Sequence, residues 1–318
     1  MQNELIYIET VWQKGSFSKA AQALYLTQPA LSLAIQKVEN EIGMPLFDRS
    51  KKPLALTEAG QIYLDHIRQV KALEEERKNR LYDITSMQRG LIRIGATSYL
   101  ISHILPPVLQ MFHQKYPKIR LQIWEAGSFE LREMLIEQQL DVIFISRVDK
   151  DLPYDLHPGF QDHLILCVPD ILHSEEIMKD AALTGEDIKA GKHLQDDCPR
   201  AELKCFSDLP MILLEEKYDL RRRADDIFMD SGIKIKPQLE VAQLLTARAL
   251  SYAGLGATLI PDRAILPAQN GVHYYRLDHP QAVRNMMLVT NKRSYVSFAL
   301  QRFMEAFSLV YSALKMIC

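Results

Sequence analysis

The 318-residue sequence lacks the features that would assign it to a membrane or secreted protein. It has no run of about 18 consecutive apolar residues, the length that a membrane-spanning helix needs. Glu4 and Glu9 interrupt its first 15 residues, so these residues cannot form the apolar core of a signal peptide. We therefore expect a cytoplasmic protein with no membrane partner.

Cysteine is also scarce. The chain has only four cysteines, and their spacing is irregular. In a reducing compartment such residues are expected to be free thiols rather than a disulfide framework. They are Cys167, Cys198, Cys205 and Cys318.

Patterns of catalytic and metal-binding residues are missing as well. No group of cysteines and histidines has the spacing of a zinc site, and the nine histidines are scattered. No set of serine, histidine and aspartate, and no pair of carboxylates, stands out above background. The sequence therefore predicts neither an enzyme nor a bound metal or other cofactor.

Excess positive charge is absent from the chain as a whole but present in one segment. The formal net charge of −2, from 38 Lys+Arg and 40 Asp+Glu, does not indicate a broad nucleic-acid-binding surface. Residues 14–52 nevertheless hold six basic residues against three acidic ones. The basic residues are Lys14, Lys19, Lys37, Arg49, Lys51 and Lys52, and the acidic ones are Glu39, Glu41 and Asp48. This local excess is expected if one small module grips DNA and the remainder avoids it.

The same segment contains two short helical patterns separated by a tight break. Ser18 is a suitable N-cap for the first helix, from Lys19 to Leu24. Thr27 can cap the second helix, Pro29 lies in its first turn, and Gly43 suits the left-handed position just past its end. A small basic hairpin follows. This is the layout of a winged helix-turn-helix, which lays one helix in the DNA major groove.

The second of these helices has two contrasting faces. Five of its apolar residues follow the i, i+3, i+4, i+7 spacing and must face the core. They are Leu31, Ala34, Ile35, Val38 and Ile42. The opposite face carries short or amide-bearing side chains suited to base edges and phosphates. These are Gln28, Ser32, Gln36 and Lys37.

This segment resembles the winged helix-turn-helix of the LysR-type transcriptional regulators. The motifs that match are Gly15-Ser16-Phe17-Ser18, Ala20-Ala21, Thr27-Gln28-Pro29-Ala30-Leu31-Ser32 and Leu56-Thr57-Glu58-Ala59-Gly60. The resemblance implies that the helix from Gln28 to Glu41 enters the major groove of double-stranded DNA, at an interrupted palindrome. The predicted DNA-binding residues are Ser18, Gln28, Pro29, Ser32, Gln36 and Lys37, with Arg49, Lys51 and Lys52 in the wing.

A strongly charged helical pattern runs from Thr57 to about Gln88, with a broken apolar seam. Such a helix is either a solvated spacer or a contact between chains. The family resemblance favours a dimerising linker helix. It implies a homodimer at least, and a homotetramer on DNA.

After Gly90 strands and helices alternate at short intervals, which implies a parallel sheet covered on both faces. The predicted strands are 91–96, 119–123, 141–145, 163–168, 210–214, 236–242, 257–260 and 286–290. The predicted helices are 99–116, 128–138, 218–231, 243–253 and 295 to about 315. Two lobes joined by crossings near 157–162 and 265–269 would enclose a cleft.

This second part resembles the LysR effector domain, which is similar to type 2 periplasmic binding proteins. The matching residues include Tyr116-Pro117, Leu140-Asp141-Val142 and Gly254-Leu255-Gly256-Ala257. The predicted fold class is therefore α/β, with a winged helix-turn-helix and a linker helix before a two-lobed effector domain. The predicted boundaries are 1–58, 59–89 and 90–318, with lobe I at about 90–160 and 268–318 and lobe II at about 161–267. Residues 170–209 are longer than usual for the family, and they add either a helix or a loop.

Several polar residues stand where the predicted strands end. Thr97 and Ser98 follow the first strand, Ser128 follows the second and Arg147 follows the third. Hydroxyls, helix-end amides and one arginine suit a small carboxylate or a similar anion. The hydroxyls could instead only cap helices, but the resemblance favours an effector site, with Tyr218 facing the same cleft. The run Arg221-Arg222-Arg223 is expected on a solvated helix face.

We therefore expect a one-component regulator in which a metabolite in the cleft alters a DNA-bound oligomer. The alternative within the family is a thiol-based redox regulator that uses Cys198 and Cys205. A solute receptor would share the two lobes but would need a signal peptide. An enzyme on this scaffold would need a catalytic set that the sequence does not show.

Overall fold

A computed structural model gives the structure of the chain. It describes residues 2–51, 53–84, 89–147, 153–172 and 179–313. By internal contacts the chain divides into two compact units, Met1–Lys78 with Glu137–Gln139, and Asn79–Ile136 with Leu140–Cys318. The domain boundaries expected after residues 58 and 89 remain predictions. None of the helices in the described ranges combines the length and the apolarity that crossing a bilayer requires.

Three helices, a small hairpin and a long helix make up the N-terminal part of the chain. They are α1 (Gln2–Lys14), α2 (Phe17–Ala23), α3 (Gln28–Ile42), β1 (Phe47–Asp48), β2 (Ala55–Leu56) and α4 (Glu58–Ile84). The two strands are antiparallel, with Phe47 opposite Leu56. Buried side chains such as Ile8, Leu31 and Ile35 share one core. The predicted winged helix-turn-helix is confirmed.

The ends of α3 lie where the local sequence signals predict them. Thr27 has an extended backbone, and its Oγ1 accepts a hydrogen bond from the Ala30 N–H at 3.4 Å. Pro29 occupies the first turn, where no backbone donor is needed. Gly43 follows the helix with φ of 78°, a left-handed conformation that glycine adopts without steric cost. Three short-range devices therefore fix the length of this helix.

The predicted start of α2 is wrong by two residues. The cap is Ser16, not Ser18: its hydroxyl accepts a hydrogen bond from the Lys19 N–H at 3.5 Å. Ser16 has the extended backbone that a cap requires (φ −162°, ψ 129°), whereas Ser18 already lies inside the helix. Both serines carry a suitable hydroxyl, so the composition alone did not distinguish them.

The charged linker helix is present as α4, and its predicted end near Gln88 lies outside the described residues. Thr57 caps the helix, because its Oγ1 accepts a hydrogen bond from the Gly60 N–H at 3.0 Å. Ile67 of the expected apolar seam is buried in the N-terminal core. Ile62, Leu73 and Ile84 are 67%, 61% and 79% exposed, respectively, so part of the apolar surface of α4 is uncovered in a single chain.

The second unit alternates strands and helices. In chain order these are β3 (Gly90–Ala96), α5 (Leu105–Lys115), β4 (Ile119–Glu125), α6 (Ser128–Ile136), β5 (Val142–Ile145), β6 (Tyr154–Pro169), α7 (Gly185–Lys189), β7 (Met211–Leu214), α8 (Asp219–Asp230), β8 (Pro237–Val241), α9 (Leu244–Tyr252), β9 (Thr258–Pro261), β10 (Val272–Arg276), β11 (Val283–Asn291) and α10 (Phe298–Ala313). A π-helical turn, Leu100–Ile104, leads into α5.

The expectation of a parallel sheet is only partly correct. Seven strands form one sheet in the order β10–β6–β11–β5–β3–β4, with β9 also paired to β6. The pairs β3–β4 and β3–β5 are parallel, whereas β11 is antiparallel to both β5 and β6. The strands β7 and β8 form a separate parallel pair. A strand buried on both faces has the same apolar pattern in either direction, so the sequence could not reveal the antiparallel strands.

The strand β6 is shared by the two lobes. The sequence predicts a strand only at 163–168 and a crossing at 157–162, but one 16-residue strand spans both. Its first half pairs with β11, from Tyr154 to His163. Its second half pairs with β9 and β10. The residues of β10 therefore pack with the second lobe, although the sequence places them in the first.

A buried ion pair joins β6 to β11. Asp162 and Arg284 are direct cross-strand partners, and they are 0% and 7% exposed. The guanidinium donates two hydrogen bonds to the carboxylate, Nε to Oδ1 at 2.7 Å and Nη2 to Oδ2 at 2.5 Å. Tyr99 donates from its hydroxyl to Oδ2 of the same carboxylate at 3.2 Å. Burial alone would lower the pKa of Arg284, but the charge and hydrogen bonds of Asp162 raise it above its usual range.

The long 170–209 segment is packed against the second lobe where the structure describes it. It contains the short helix α7 and 3-10 turns at Lys179–Ala181, Lys192–Leu194 and Leu203–Phe206. Ile188 and Phe206 are buried in the main core, and Leu183 forms an antiparallel bridge with Tyr274 of β10. Of the two alternatives left open by the sequence, a short helix is present. Cys318 and residues 173–178 lie outside the described ranges.

Asp162→Ala should lower the free energy of unfolding by about 3–5 kcal/mol, because it leaves the Arg284 guanidinium buried and unpaired. A matched control is Glu305→Ala, which removes the exposed partner of Arg302 and should cost less than about 1 kcal/mol. Urea unfolding followed by circular dichroism measures both. Equal, small losses in the two variants would show that the buried pair is solvated in solution.

Candidate functional site

A cavity lies between the lobes of the second unit. It has a volume of about 670 Å³, including the space at its open mouth. Four of the five predicted effector residues line it: Thr97, Ser98, Ser128 and Tyr218. The carboxyl ends of β3, β4 and β5 contribute one wall, and the segments following β7 and β8 contribute the other.

Two helices begin at the wall of this cavity. The Thr97 carbonyl accepts a hydrogen bond from the Ile101 N–H at 3.0 Å, and α6 begins at Ser128. Within the described part of the chain, the hydroxyls of Thr97, Ser98 and Ser128 make no hydrogen bond to another protein group. They therefore do not act as helix caps there. Free hydroxyls beside helix N-termini are suited to binding an anion.

Arg147 is not among the residues that line the cavity. Its side chain is exposed, and its carbonyl oxygen accepts a hydrogen bond from Arg132 Nη2 at 2.6 Å. The charged groups that do line the cavity are Arg284 and Asp219, which the sequence did not single out. Neither residue follows the end of a first-lobe strand, so the expectation of polar ligand-binding residues at those strand ends does not include them.

Asp219 links the two lobes. Its Oδ2 accepts hydrogen bonds from Ser146 Oγ at 2.9 Å and from Arg223 Nε at 3.0 Å. Arg223 continues to the first lobe, where it donates to the Gln281 carbonyl at 3.2 Å and the Ser146 carbonyl at 3.3 Å. We call Ser146, Asp219, Arg223 and Gln281 the interlobe clasp. The clasp stands directly beside the cavity, because Ser146 and Asp219 both line it.

The expectation that Arg221-Arg222-Arg223 lies on a solvated helix face is correct for only one of the three residues. Arg221 and Arg223 are 7% and 6% exposed, so they do not belong to a solvated face. Arg221 is held by the Leu214 carbonyl at 2.8 Å and by Asp225 at 3.0 Å. Arg222 is exposed as expected. Each of the two buried arginines pairs with a carboxylate four residues away in α8. The partners that the sequence does not reveal are backbone carbonyls outside the helix, and they make the burial possible.

One oxygen of the clasp has no partner. Oδ1 of Asp219 is buried and accepts no hydrogen bond from any described residue. Burial would raise the pKa of Asp219, but the charge of Arg223 and the hydrogen bonds from Arg223 and Ser146 lower it overall. The carboxylate therefore stays ionised at neutral pH. A buried acceptor without a donor is costly, and a ligand donor would relieve that cost.

The second candidate surface is the exposed face of α3 with its hairpin. Gln28, Pro29, Gln36 and Lys37 are exposed, and Ser32 is partly buried. They lie on the side of α3 opposite to its buried residues, as the pattern predicts.

The hairpin places one arginine in a fixed position. Arg49 donates to Glu39 Oε2 at 2.9 Å and stacks over the ring of Phe17 at 5.0 Å, while half of its side chain stays exposed. Glu39 also accepts a hydrogen bond from the Leu46 N–H at 2.9 Å, so the wing is tied to α3. Lys51 is exposed, with Asp48 at 3.9 Å. The predicted contact Lys52 lies outside the described residues.

Three cysteines, Cys167, Cys198 and Cys205, lie in the described part of the second unit. Cys198 is buried, and its thiol donates to the Pro199 carbonyl at 3.5 Å, whereas Cys205 is exposed. Burial raises the pKa of the Cys167 thiol to about 12, which disfavours its reactive thiolate form. None of these three cysteines lines the cavity.

A winged helix-turn-helix followed by a two-lobed domain with an interlobe cavity defines a transcriptional regulator with a DNA-binding and an effector-binding part. Family models agree with this class. The "LysR substrate binding domain" matches residues 85–309, and the "Bacterial regulatory helix-turn-helix protein, lysR family" matches residues 2–61. The chain belongs to the LysR family of transcriptional regulators.

Individual relatives are distant but cover almost the whole chain. The uncharacterized HTH-type transcriptional regulator YcgK of Bacillus subtilis (strain 168) is 27% identical over 302 residues, 94% of this chain and 91% of the relative. A probable RuBisCO transcriptional regulator of Cyanophora paradoxa is 26% identical over 320 residues, 97% of this chain and 91% of the relative.

Solved structures share the fold. Full-length CbnR in complex with its target DNA superposes with a TM-score of 0.70 at 19% identity, covering 97% of this chain and 99% of CbnR. A full-length OxyR variant from Pseudomonas aeruginosa gives a TM-score of 0.62 at 21% identity, covering 97% of this chain and 95% of OxyR. The predicted fold class is therefore confirmed.

Proposed function

We propose that this regulator responds to a small anionic metabolite that also carries a hydrogen-bond donor, bound in the interlobe cavity. The single observation that carries the proposal is the pairing of free hydroxyls at two helix starts with the unpartnered Oδ1 of Asp219 in one cavity. A hydroxy acid or an amino acid has both of the required groups.

The anionic group would bind at the helix starts. The hydroxyls of Thr97, Ser98 and Ser128 and the free backbone amides behind them supply donors for a carboxylate. Arg284 contributes little net charge, because Asp162 neutralises it. Arg147, the charge partner expected from the sequence, is not assigned to the site because it does not line the cavity.

The donor group would bind at the clasp. Oδ1 of Asp219 can accept a hydrogen bond from a hydroxyl or an ammonium group, whereas an ionised carboxylate has no proton to donate to it. Binding there adds a contact to a residue that already joins Ser146 to Arg223 across the lobes. A ligand with different affinity for open and closed lobes would shift their equilibrium, and this is the proposed signal.

A redox mechanism is the second candidate within the family, and OxyR is a structural neighbour. The buried Cys198 and the exposed Cys205 give it no further support, so the metabolite mechanism is preferred.

Thr97→Val and Ser128→Ala should each lower the effector affinity roughly tenfold to a hundredfold, since each removes a hydrogen bond to a charged ligand. Arg147→Ala is the matched control and should leave the affinity unchanged. A thermal-shift screen of short carboxylates, with and without a hydroxyl or amino group, identifies the ligand, and calorimetry measures the variants. If both hydroxyl variants kept full affinity, the effector would bind somewhere other than this cavity. Preference for carboxylates without a donor would contradict the assigned role of Asp219.

We also propose that α3 reads bases in the major groove while the hairpin contacts phosphates. The exposed amides of Gln28 and Gln36 and the Ser32 hydroxyl can hydrogen-bond to base edges. Arg49, Lys51 and Lys52 carry charge suited to the backbone, and the exposed Ser18 of α2 and Lys37 of α3 complete the proposed set of contacts. The fold shared with CbnR, whose complex with DNA is known, supports this arrangement.

Gln28→Ala or Ser32→Ala should cost roughly 1–3 kcal/mol of DNA-binding free energy and relax base preference. Lys51→Ala should weaken binding to all sequences alike and reduce its dependence on salt, because its contact is electrostatic. Arg49→Ala should do the same, but it also removes the contacts to Glu39 and Phe17, so Lys51→Ala is the cleaner test. Fluorescence anisotropy with an interrupted palindrome and mismatched duplexes separates the two effects. A change of base preference in Lys51→Ala alone would reverse the assignment.

Association through α4 is proposed from its uncovered apolar residues. Ile62, Leu73 and Ile84 recur every 11 residues, which is close to three helical turns, so they lie along one face. Leu73→Glu should therefore weaken the oligomer, whereas Lys78→Glu, on an exposed polar position, should not. Light scattering at micromolar concentration gives the mass. A monomeric unsubstituted chain would exclude a dimer through this face.

A further inference from the structure

A second cluster of polar side chains lies in the second unit, apart from the residues that line the cavity. Nδ1 of His163 lies 3.3 Å, and Nε2 of His193 3.2 Å, from the same atom, Oδ2 of Asp262. His163 is on β6, His193 is in the 3-10 turn Lys192–Leu194, and Asp262 follows β9. The three potential ligand atoms all lie within 4.8 Å of one another.

The two distances to Asp262 match the edges of a metal coordination polyhedron. Two ligands of a tetrahedral zinc ion, each bound at about 2.0–2.1 Å, stand about 3.3–3.4 Å apart. Hydrogen bonds between a charged N–H donor and a carboxylate are shorter, at about 2.7–2.9 Å. The two nitrogen-to-oxygen separations of 3.3 and 3.2 Å are longer than a charged hydrogen bond and close to the ligand-to-ligand spacing of a zinc site.

We propose that His163, His193 and Asp262 form a binding site for a divalent transition-metal ion, with zinc as the preferred occupant. Two imidazoles and one carboxylate suit zinc, cobalt or nickel, whereas magnesium and calcium prefer oxygen ligands alone. His163 has the most exposed of the three side chains, at 25%, so this is the side of the cluster that solvent reaches. An ion can enter there, and a water molecule or a ligand can complete the tetrahedron.

The surroundings hold the carboxylate in place. Asp262 Oδ1 accepts a hydrogen bond from the Arg263 N–H at 2.8 Å, which leaves Oδ2 directed to the histidines. The side chains of His193 and Asp262 are only 4% and 11% exposed.

The second ring nitrogen of His193, the one that would not bind the ion, affects the expected metal affinity. Nδ1 of His193 is buried and has no partner among the described residues. Loss of such an outer hydrogen bond weakens metal binding by roughly 10- to 100-fold. We therefore expect affinity below that of a closed four-ligand structural site. The sequence did not suggest the site, because its three ligands are far apart in the chain.

The ion would join three segments of the second unit: the shared strand β6, the long 170–209 segment and the end of β9. Metal binding would thereby stabilise the packing of the long segment, which contributes only one of the ligands. The ion would be a second input to the regulator, bound by residues that do not line the cavity.

The test uses the untagged full-length chain, stripped with EDTA and titrated with ZnCl₂ by calorimetry and with CoCl₂ by visible absorption. We expect one ion per chain, tetrahedral cobalt bands without the strong sulfur-to-cobalt charge-transfer absorption, and a higher melting temperature with zinc. His163→Gln, at the most exposed ligand, and His193→Ala should each weaken binding by at least roughly 10- to 100-fold.

Two controls separate the cluster from other zinc ligands. His273→Gln changes a histidine on β10 outside the cluster, and Cys205→Ser removes the exposed thiol, so both should bind zinc as the unsubstituted chain does. Circular dichroism checks that each variant is folded. Unaltered zinc binding by folded His163→Gln, or no saturable binding by the unsubstituted chain, would overturn the proposal and leave a hydrogen-bonded His–Asp–His cluster.

Discussion

The arrangement of the second unit depends on a single strand that both lobes share. Because β6 pairs with β11 in its first half and with β9 and β10 in its second, the lobes are two ends of one continuous ladder. At the changeover Asp162 and Arg284 are buried against each other. A buried pair adds little net stability, but loss of either partner leaves an uncompensated charge. The Tyr99 hydroxyl ties this pair to the segment that follows β3, so the pair also positions the cavity wall.

Charge neutralisation at the cavity follows from two separate ion pairs. Arg284 is balanced by Asp162, and Arg223 is balanced by Asp219, so neither arginine offers an unpaired positive charge to a ligand. Recognition of an anion must therefore rest on hydroxyls and helix-end amides, which select by direction as well as by charge. The one unsatisfied oxygen of the clasp, Oδ1 of Asp219, adds a requirement for a donor. The proposed ligand class, an anion that also carries a hydrogen-bond donor, follows from the polar groups that the two ion pairs leave unsatisfied.

Structure that is determined by neighbours in the chain can be predicted from the sequence. Thr27, Pro29 and Gly43 fix α3 through contacts within four residues, so their identities sufficed. Structure that depends on a contact distant in the chain could not be predicted in this way. The antiparallel β11 and the buried states of Arg221 and Arg223 depend on partners from other segments. The hydroxyls of Thr97 and Ser128 are predictable because first-lobe strand ends meet at one sheet edge, whereas Asp219 begins α8 in the other lobe and Arg284 lies within β11.

Two consecutive residues of the shared strand connect it to the two proposed sites of the effector domain. Asp162 and His163 are consecutive in β6, and consecutive side chains of a strand point to opposite faces of the sheet. Asp162 contacts Arg284 and Tyr99 beside the cavity, while His163 contacts Asp262. The register of β6 against β11 therefore fixes both at once, through Asp162↔Arg284 and His163↔Val283. An ion on one face and a metabolite beside the other would act on the same pair of strands. Any coupling of their binding free energies through this position must be reciprocal, so neither site can influence the other without being influenced in return.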